Sequence, residues 1–291
     1  MTPRPERSGP GRIDWLASYP KSGNTWLRIL LANYFAETDD PYDFNMPGVT
    51  RGSAASRWVF DEFLGISSSD LSLSETRAMR PQVYKLMAQR NFAPIWLKTH
   101  DRQQRVGDGG WLFPAAVSGS AIYIIRNPLD VAVSNAFHDG HTDMARAVNK
   151  LCDQNATIGQ GSSDQFPQLL GDWSGHVQSW VDQGQIRVLV VRYEDMLADT
   201  AAVLTTVIRF ARPDIEVERH RVTRAVRNSR IEALQLSEDR TGFREAPRTS
   251  GRFFRKGEAG DWRNHLSAAQ ALQIRVAHLA VMSRFGYVDL T

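Results

Sequence analysis

Cysteine is almost missing from this 291-residue sequence: Cys152 is the only one. A lone thiol excludes an internal disulfide and a cysteine-built zinc cage, and it suits a reducing, cytoplasmic setting. Long apolar runs are also missing, so no membrane-spanning helix is expected. The first twelve residues, MTPRPERSGPGR, lack the apolar stretch of a signal peptide and read as a flexible tail over 1–12. Lysine is scarce, with 5 against 30 arginines, and the net charge of +3 is too small to imply a nucleic-acid partner. Internal repeats and compositional breaks are absent too, so 13–291 reads as one large domain.

What is present is a set of short, near-continuous apolar runs separated by helical patterns. Strands are expected at Asp14–Ser18, Pro94–Thr99, Ala121–Ile125 and Arg187–Arg192. Helices are expected over 25–35, 74–91, 128–137, 169–181, 196–210, 216–228 and 267–285, whereas 38–60, 139–166 and 237–263 read as polar loops. Apolar strands alternating with helices imply an α/β fold, with a central parallel sheet flanked by helices on both faces.

Four segments carry chemistry. SYPKSGNTW (18–26) joins a strand to a helix, the geometry that aims backbone N–H groups and a positive helix end at an anion. Gly23 permits close approach, Ser22, Asn24 and Thr25 offer donors, and Lys21 adds a charge. The order of residues differs from a Walker A loop, so the site is P-loop-like. Arg126 ends a strand, with Ser134 eight residues on in a helix, suiting a second phosphate. Arg255-Lys256-Gly257 in RKGEAGDWRN is a basic loop of the same character. Lys98 and His100 end a further strand, where ligands bind in α/β sheets. Three of the five lysines, Lys21, Lys98 and Lys256, thus fall inside motifs.

Taken together, these segments resemble the cytosolic-type sulfotransferase family, which uses 3′-phosphoadenosine 5′-phosphosulfate (PAPS). The resemblance runs from about Trp15 to Trp262 in the family's order, and the short form is similar to bacterial members acting on antibiotic scaffolds. It implies that Lys21 contacts the transferring group and the leaving oxygen, while Ser22, Gly23, Asn24 and Thr25 hold the 5′-phosphate. Trp26 would stack on adenine, with Tyr193 and Ser229 lining the nucleotide pocket. Arg126, Ser134, Arg255, Lys256 and Gly257 would hold the 3′-phosphate. His100 would be the catalytic base, with Lys98 beside it. The co-substrate would be PAPS, the product 3′,5′-diphosphoadenosine (PAP), and no metal is expected. The acceptor would be a small molecule, such as a natural product, offering a hydroxyl or amine. No nucleic acid or membrane partner is expected, and monomer and homodimer stay open. The sequence departs from the family's pattern at Asn24, where many members have threonine, and near Arg230, where an aromatic is missing.

Three further readings need the structure. Glu194-Asp195 after a strand would serve a nucleotide-dependent phosphotransferase with an atypical phosphate loop, the alternative function. His138, Asp139, His141 and Asp143 are close in sequence but too few to read as a metal site. Trp58, Phe60, Phe63, Trp111 and Phe113 offer an aromatic acceptor pocket or plain core, and Arg244, Arg248 and Arg252 either attract an acidic acceptor or form a solvated basic face, the second being favoured.

Overall fold

Every residue of the first strand, β1 (Ile13–Ser18), is buried, because helices cover both of its faces. In the computed structural model, residues 11–46, 48–91, 94–140, 143–246 and 251–288 are described. After β1 come α1 (Asn24–Phe35), β2 (Thr50–Ser53), α2 (Arg57–Leu64), α3 (Leu73–Arg90) and β3 (Ile95–Thr99). A short hairpin, β4 (Arg105–Val106) and β5 (Gly110–Trp111), precedes β6 (Ser118–Ile125), α4 (Pro128–His138) and α5 (Met144–Cys152). The pair β7 (Thr157–Ile158) and β8 (Gln168–Leu169) leads to α6 (Trp173–Val181), β9 (Val188–Arg192), α7 (Tyr193–Ala198) and α8 (Thr200–Ala211). The chain closes with α9 (Arg219–Asn228), α10 (Ile231–Thr241) and α11 (Ala268–Arg284).

The main sheet has five strands in the order β2-β3-β1-β6-β9, and its pairings are parallel. Side chains alternate across β1. Trp15 and Ala17 enter a core with Tyr84 of α3, Trp173 and Trp180 of α6, and Ile274 of α11. Leu16 points into the opposite core with Leu27, Leu30, Leu31 and Tyr34 of α1 and Leu204 and Ile208 of α8. The α1 residues recur at helical spacing, which makes that helix one cover of the sheet. The sheet and its two helical layers are those of a P-loop-like α/β fold.

The loops expected from polarity alone hold more structure. The 38–60 segment contains β2, a polar edge strand without alternation, and the start of α2. The 139–166 segment contains α5, anchored by Ala147, Val148 and Leu151, too few apolar residues to announce a helix. Helix α10 runs to Thr241, inside 237–263. The tail expected over 1–12 lies outside the described residues up to residue 10. Gly11 is bonded through its N–H to Ala88 O, and Arg12 O accepts from Ile95 N–H, so the ordered chain starts earlier than 13.

Asp14 is an acid inside the sheet. Its Oδ1 accepts from Ser120 Oγ at 2.6 Å, and burial pushes its pKa up to about 6 despite that bond. A raised acid binds its proton more tightly in the folded state. Stability therefore falls as pH rises from about 4 to 6, and the penalty persists above. Asp14→Asn keeps the acceptor and removes the charge. It is expected to stabilise the protein by about 2 kcal/mol at pH 8 and by nothing near pH 3, measured by denaturant unfolding at the two pH values.

Candidate active site

The C-terminal ends of β1, β3, β6 and β9 open onto one cavity of about 1190 Å³. Sheet order passes from β3 through β1 to β6 there, the crevice where α/β sheets bind ligands. Lys21, Gly23, Asn24, Thr25, Trp26, Lys98, His100, Arg126, Ser134, Tyr193, Ser229, Arg255, Lys256 and Gly257 all line it. Ser22 alone among the expected residues does not: it is buried under the loop, with its Oγ unpartnered.

The loop after β1 takes left-handed backbone at Lys21 (φ 67°) and at Gly23 (φ 103°). A Cβ on Gly23 would meet the Tyr193 ring at 2.6 Å, so only glycine fits under that tyrosine. Leu27 N–H bonds Gly23 O at 3.1 Å, leaving the N–H groups of residues 24–26 without helical carbonyls. The positive end of α1 thus faces the cavity wall. The Asn24 side chain is committed elsewhere: its amide donates to Leu16 O at 2.9 Å and Ser18 Oγ at 3.2 Å. Asn24 therefore fastens the helix to β1, and it can serve an anion only through its backbone N–H. Trp26 is edge-tied to Ser229 O at 2.9 Å, and Ser229 Oγ accepts from Asn33 at 3.1 Å.

The second cluster is built around two buried aspartates. Arg255 and Lys256 each reach Asp261 at 2.6 Å, and burial of that carboxylate is outweighed by those bonds, which hold its pKa well below the usual range. Asp130 on α4 accepts from Gly260 N–H at 2.7 Å and Trp262 N–H at 3.0 Å, docking the whole basic loop. Among the described residues Arg126 makes no carboxylate contact. Its two Nη atoms donate to Lys21 O at 3.1 Å and Glu258 O at 3.0 Å, and its Nε is buried without a partner. Its guanidinium charge, bonded only to neutral carbonyls, is left for an anion.

His100 is fixed from three sides. Its Nδ1 lies 2.9 Å from Ser18 O, which can only accept, so Nδ1 carries the proton and Nε2 keeps a lone pair. Its backbone N–H donates to Gln168 Oε1 at 2.9 Å, and its carbonyl accepts from His176 Nε2 at 3.0 Å. His176 in turn accepts from Tyr123 OH at 2.8 Å. The next residue, Asp101, forms a buried ion pair with Arg80 at 2.6 Å, a contact whose loss on one side costs about 3–5 kcal/mol. Burial, then Lys98, holds the His100 pKa down to about 3, so the ring is neutral.

Lys21 Nζ lies 3.1 Å from His138 Nδ1 and 4.2 Å from the centre of the Phe253 ring. Burial, then Arg126 and Lys98, lowers the Lys21 pKa to about 7. Burial and Lys21 lower His138 to about 4, so His138 is a neutral acceptor. Lys98 Nζ bonds Glu245 at 2.8 Å, and Arg28 holds the same carboxylate at 2.8 Å. Burial opposes that carboxylate, but the two cations bring its pKa to about 2. Lys98 is therefore spent on Glu245, and its effect on His100 is electrostatic.

Glu194 accepts from Asn127 N–H at 3.0 Å and Tyr287 OH at 2.8 Å, and Asp195 pairs with Arg192. Neither acid is free for the role that a phosphotransferase would give it. Of the sequence cluster near 138–143, His141 lies outside the described residues, Asp143 caps α5 and Asp139 faces Lys150 at 3.7 Å. Among the described residues no group of three metal-ligating side chains occurs. The aromatic acceptor pocket is corrected. Phe60 and Phe113 are core, Trp58 is 70% exposed, Trp111 stacks on Arg105, Phe63 packs against the core, and none lines the cavity. Arg244 is exposed and also lines the cavity, Arg252 is exposed and pairs with Asp239, and Arg248 lies outside the described residues.

Sequence reasoning missed Glu245, Gln168, His176 and the binding of His138 to Lys21. Asp130 and Asp261 were visible inside the motifs, but as neighbours of cations their clamping role depends on folding.

A crevice with an anion loop, a second cation cluster and a neutral histidine defines a phosphate-binding group-transfer enzyme. The chain belongs to the sulfotransferase family, whose domain model matches residues 14–286. It is 26% identical over 261 residues to 3-alpha-hydroxysteroid sulfotransferase of Cavia porcellus, covering 87% of this chain and 78% of the relative. It is 25% identical to human Sulfotransferase 2A1 over 263 residues, covering 88% and 79%. The match to mouse Sulfotransferase 2A2 is 31% identical over 160 residues and spans 52% of either chain. The fold is similar to that of mouse sulfotransferase SULT7A1 complexed with PAP, with a TM-score of 0.58 at 20% identity, covering 94% of this chain and 85% of that one. The chain is thus a PAPS-dependent sulfotransferase. The residues fit the donor, because Arg126 keeps an uncompensated charge beside the open end of α1.

With a pKa near 7, Lys21 is largely neutral at pH 8 in the free protein, and a polyanion beside it raises that pKa. Binding of PAP at pH 8 is expected to take up a fraction of a proton. Calorimetry in buffers of different ionisation enthalpy checks this, and Lys21→Met should abolish most of the uptake. Asp261→Asn, which frees both loop cations from their clamp, is expected to weaken PAP by about tenfold through lost positioning, seen in the same titration.

Proposed function

We propose that the enzyme moves the sulfuryl group from PAPS to a hydroxyl or amine of a small-molecule acceptor, with His100 as general base and Lys21 stabilising the leaving phosphate. The observation that carries this is the tautomer of His100. A neutral ring, pinned through Nδ1–H to Ser18 O, has Nε2 without a protein partner on a residue lining the cavity. As the acceptor oxygen bonds to sulfur, its proton passes to Nε2. The bond between sulfur and the phosphate oxygen breaks, and the negative charge left on that oxygen is met by Lys21 and the N-terminus of α1. Burial, and after it the charge of Lys98, keeps His100 unprotonated. Ser134, Arg126, Arg255, Lys256 and Gly257 hold the 3′-phosphate, and the 5′-phosphate rests on the backbone of 22–25.

Two substitutions test the assignment. His100→Ala is expected to lower kcat by about 10²- to 10⁴-fold while PAP affinity is unchanged. Lys21→Ala should lower kcat by about 10²- to 10³-fold. Near-normal turnover of the histidine variant would remove the base from His100. Titration with PAP in EDTA, against ATP with magnesium, separates this reading from the phosphotransferase one. Preference for ATP with magnesium would overturn it. Because the His100 pKa is about 3 and Lys21 gains its proton near pH 7, kcat/KM should not fall from pH 7 to pH 5, and a pH profile checks this.

A further inference from the structure

Beyond the donor residues, Leu234, Phe253 and Phe254 line one part of the cavity wall, and another part is the segment that carries β7 and β8. Its lining residues with side chains are Thr157, Ile158, Gln160, Ser162, Gln165 and Gln168, and only one of these is apolar. Gln168 is 2% exposed, yet it reaches the cavity beside the catalytic base. Its Oε1 is occupied by the His100 N–H at 2.9 Å, so the carboxamide cannot flip, and its Nε2 has no protein acceptor among the described residues. The Gln165 carboxamide lies 3.4 Å from Ser53 Oγ and that of Gln160 2.8 Å from Thr157 Oγ1. A hydroxyl both donates and accepts, so each of these amides can offer the cavity a donor or an acceptor.

The wall therefore presents a fixed N–H donor at Gln168 and, at Gln165 and Gln160, amides that can donate or accept. Of the charges near this end, Lys98 pairs with Glu245 and Lys150 with Asp139, while Arg244 lines the cavity as well. A flat apolar acceptor would bury these amides without partners, and such unpaired donors strongly disfavour binding. A molecule dense in hydroxyls satisfies both kinds of group, since each hydroxyl donates and accepts.

We infer that the acceptor is a polyhydroxylated, sugar-like molecule, with Gln168 donating to an oxygen neighbouring the one that His100 deprotonates. This rests on the sulfotransferase reading above, and it differs in chemistry from the hydroxysteroid in the name of one relative.

The test measures transfer from radiolabelled PAPS to 4-nitrophenyl β-D-glucopyranoside and methyl α-D-glucopyranoside, against 2-naphthol and androsterone. PAP affinity is recorded in parallel. The glycosides are expected to give kcat/KM at least tenfold above the naphthol and the steroid. Gln165→Leu, which leaves His100 untouched, should lower glycoside kcat/KM at least tenfold through KM, with PAP affinity unchanged. Gln168→Leu should lower it further and through kcat as well. Equal or better transfer to naphthol or androsterone, or no transfer to either glycoside while PAP binds, overturns this inference and leaves the donor site standing. A Gln165→Leu enzyme with unchanged glycoside kinetics overturns it also. Failure of PAP to bind the wild-type protein overturns the sulfotransferase assignment itself.

Discussion

One hydrogen bond sets the chemistry of this crevice: His100 Nδ1–H to the carbonyl of Ser18. It exists because β1 and β3 are parallel neighbours in register, with Ala17 opposite Thr99, so the residues after each strand meet. A carbonyl can only accept, so the bond decides which nitrogen is protonated and leaves the other with a lone pair. The remaining fastenings of His100 serve that bond. The Gln168 and His176 side chains fix its backbone, and the Arg80–Asp101 pair anchors the residue that follows. The ring is thus positioned through its main chain as well as through Nδ1.

The donor half of the site was largely legible in the sequence, and for a physical reason. An anion loop between a strand and a helix draws on consecutive residues, so 18–26 and 255–257 can be read as local patterns. Asn24 shows the limit of such reading: its residue type suits a phosphate, but its side chain turned to Leu16 and Ser18. The acceptor half was not legible. Its wall comes from short, polar elements, β7, β8 and the stretch between them, whose placement depends on bonds to distant residues such as Ser53 and His100. Periodicity also failed for α5 and β2, where packing against neighbours, not pattern, makes the element. The aromatic residues between 58 and 113 went to the core because helix and hairpin faces turned them there.

The electrostatics divide along the same line. On the donor side, the Arg126 charge is left without a carboxylate, and Arg255 and Lys256 share one aspartate between them. On the acceptor side, Lys98 meets Glu245 and Lys150 meets Asp139. The first arrangement leaves charge for a polyanion, and the second spends these lysines within the protein. Lys98 stands at the border, close enough to His100 to depress its basicity and neutralised by Glu245 toward everything else.

Arg126 joins Lys21 near the start of the chain to Glu258 near its end through the carbonyls of both. The two loops are thereby a single mechanical part, although most of the sequence lies between them. A chain broken off before residue 255 would retain His100, Lys21 and every strand of the main sheet. It would nevertheless take Glu258 from Arg126 and remove Arg255 and Lys256 from the cavity wall. Synthesis of the last few dozen residues is therefore the event that completes the pocket.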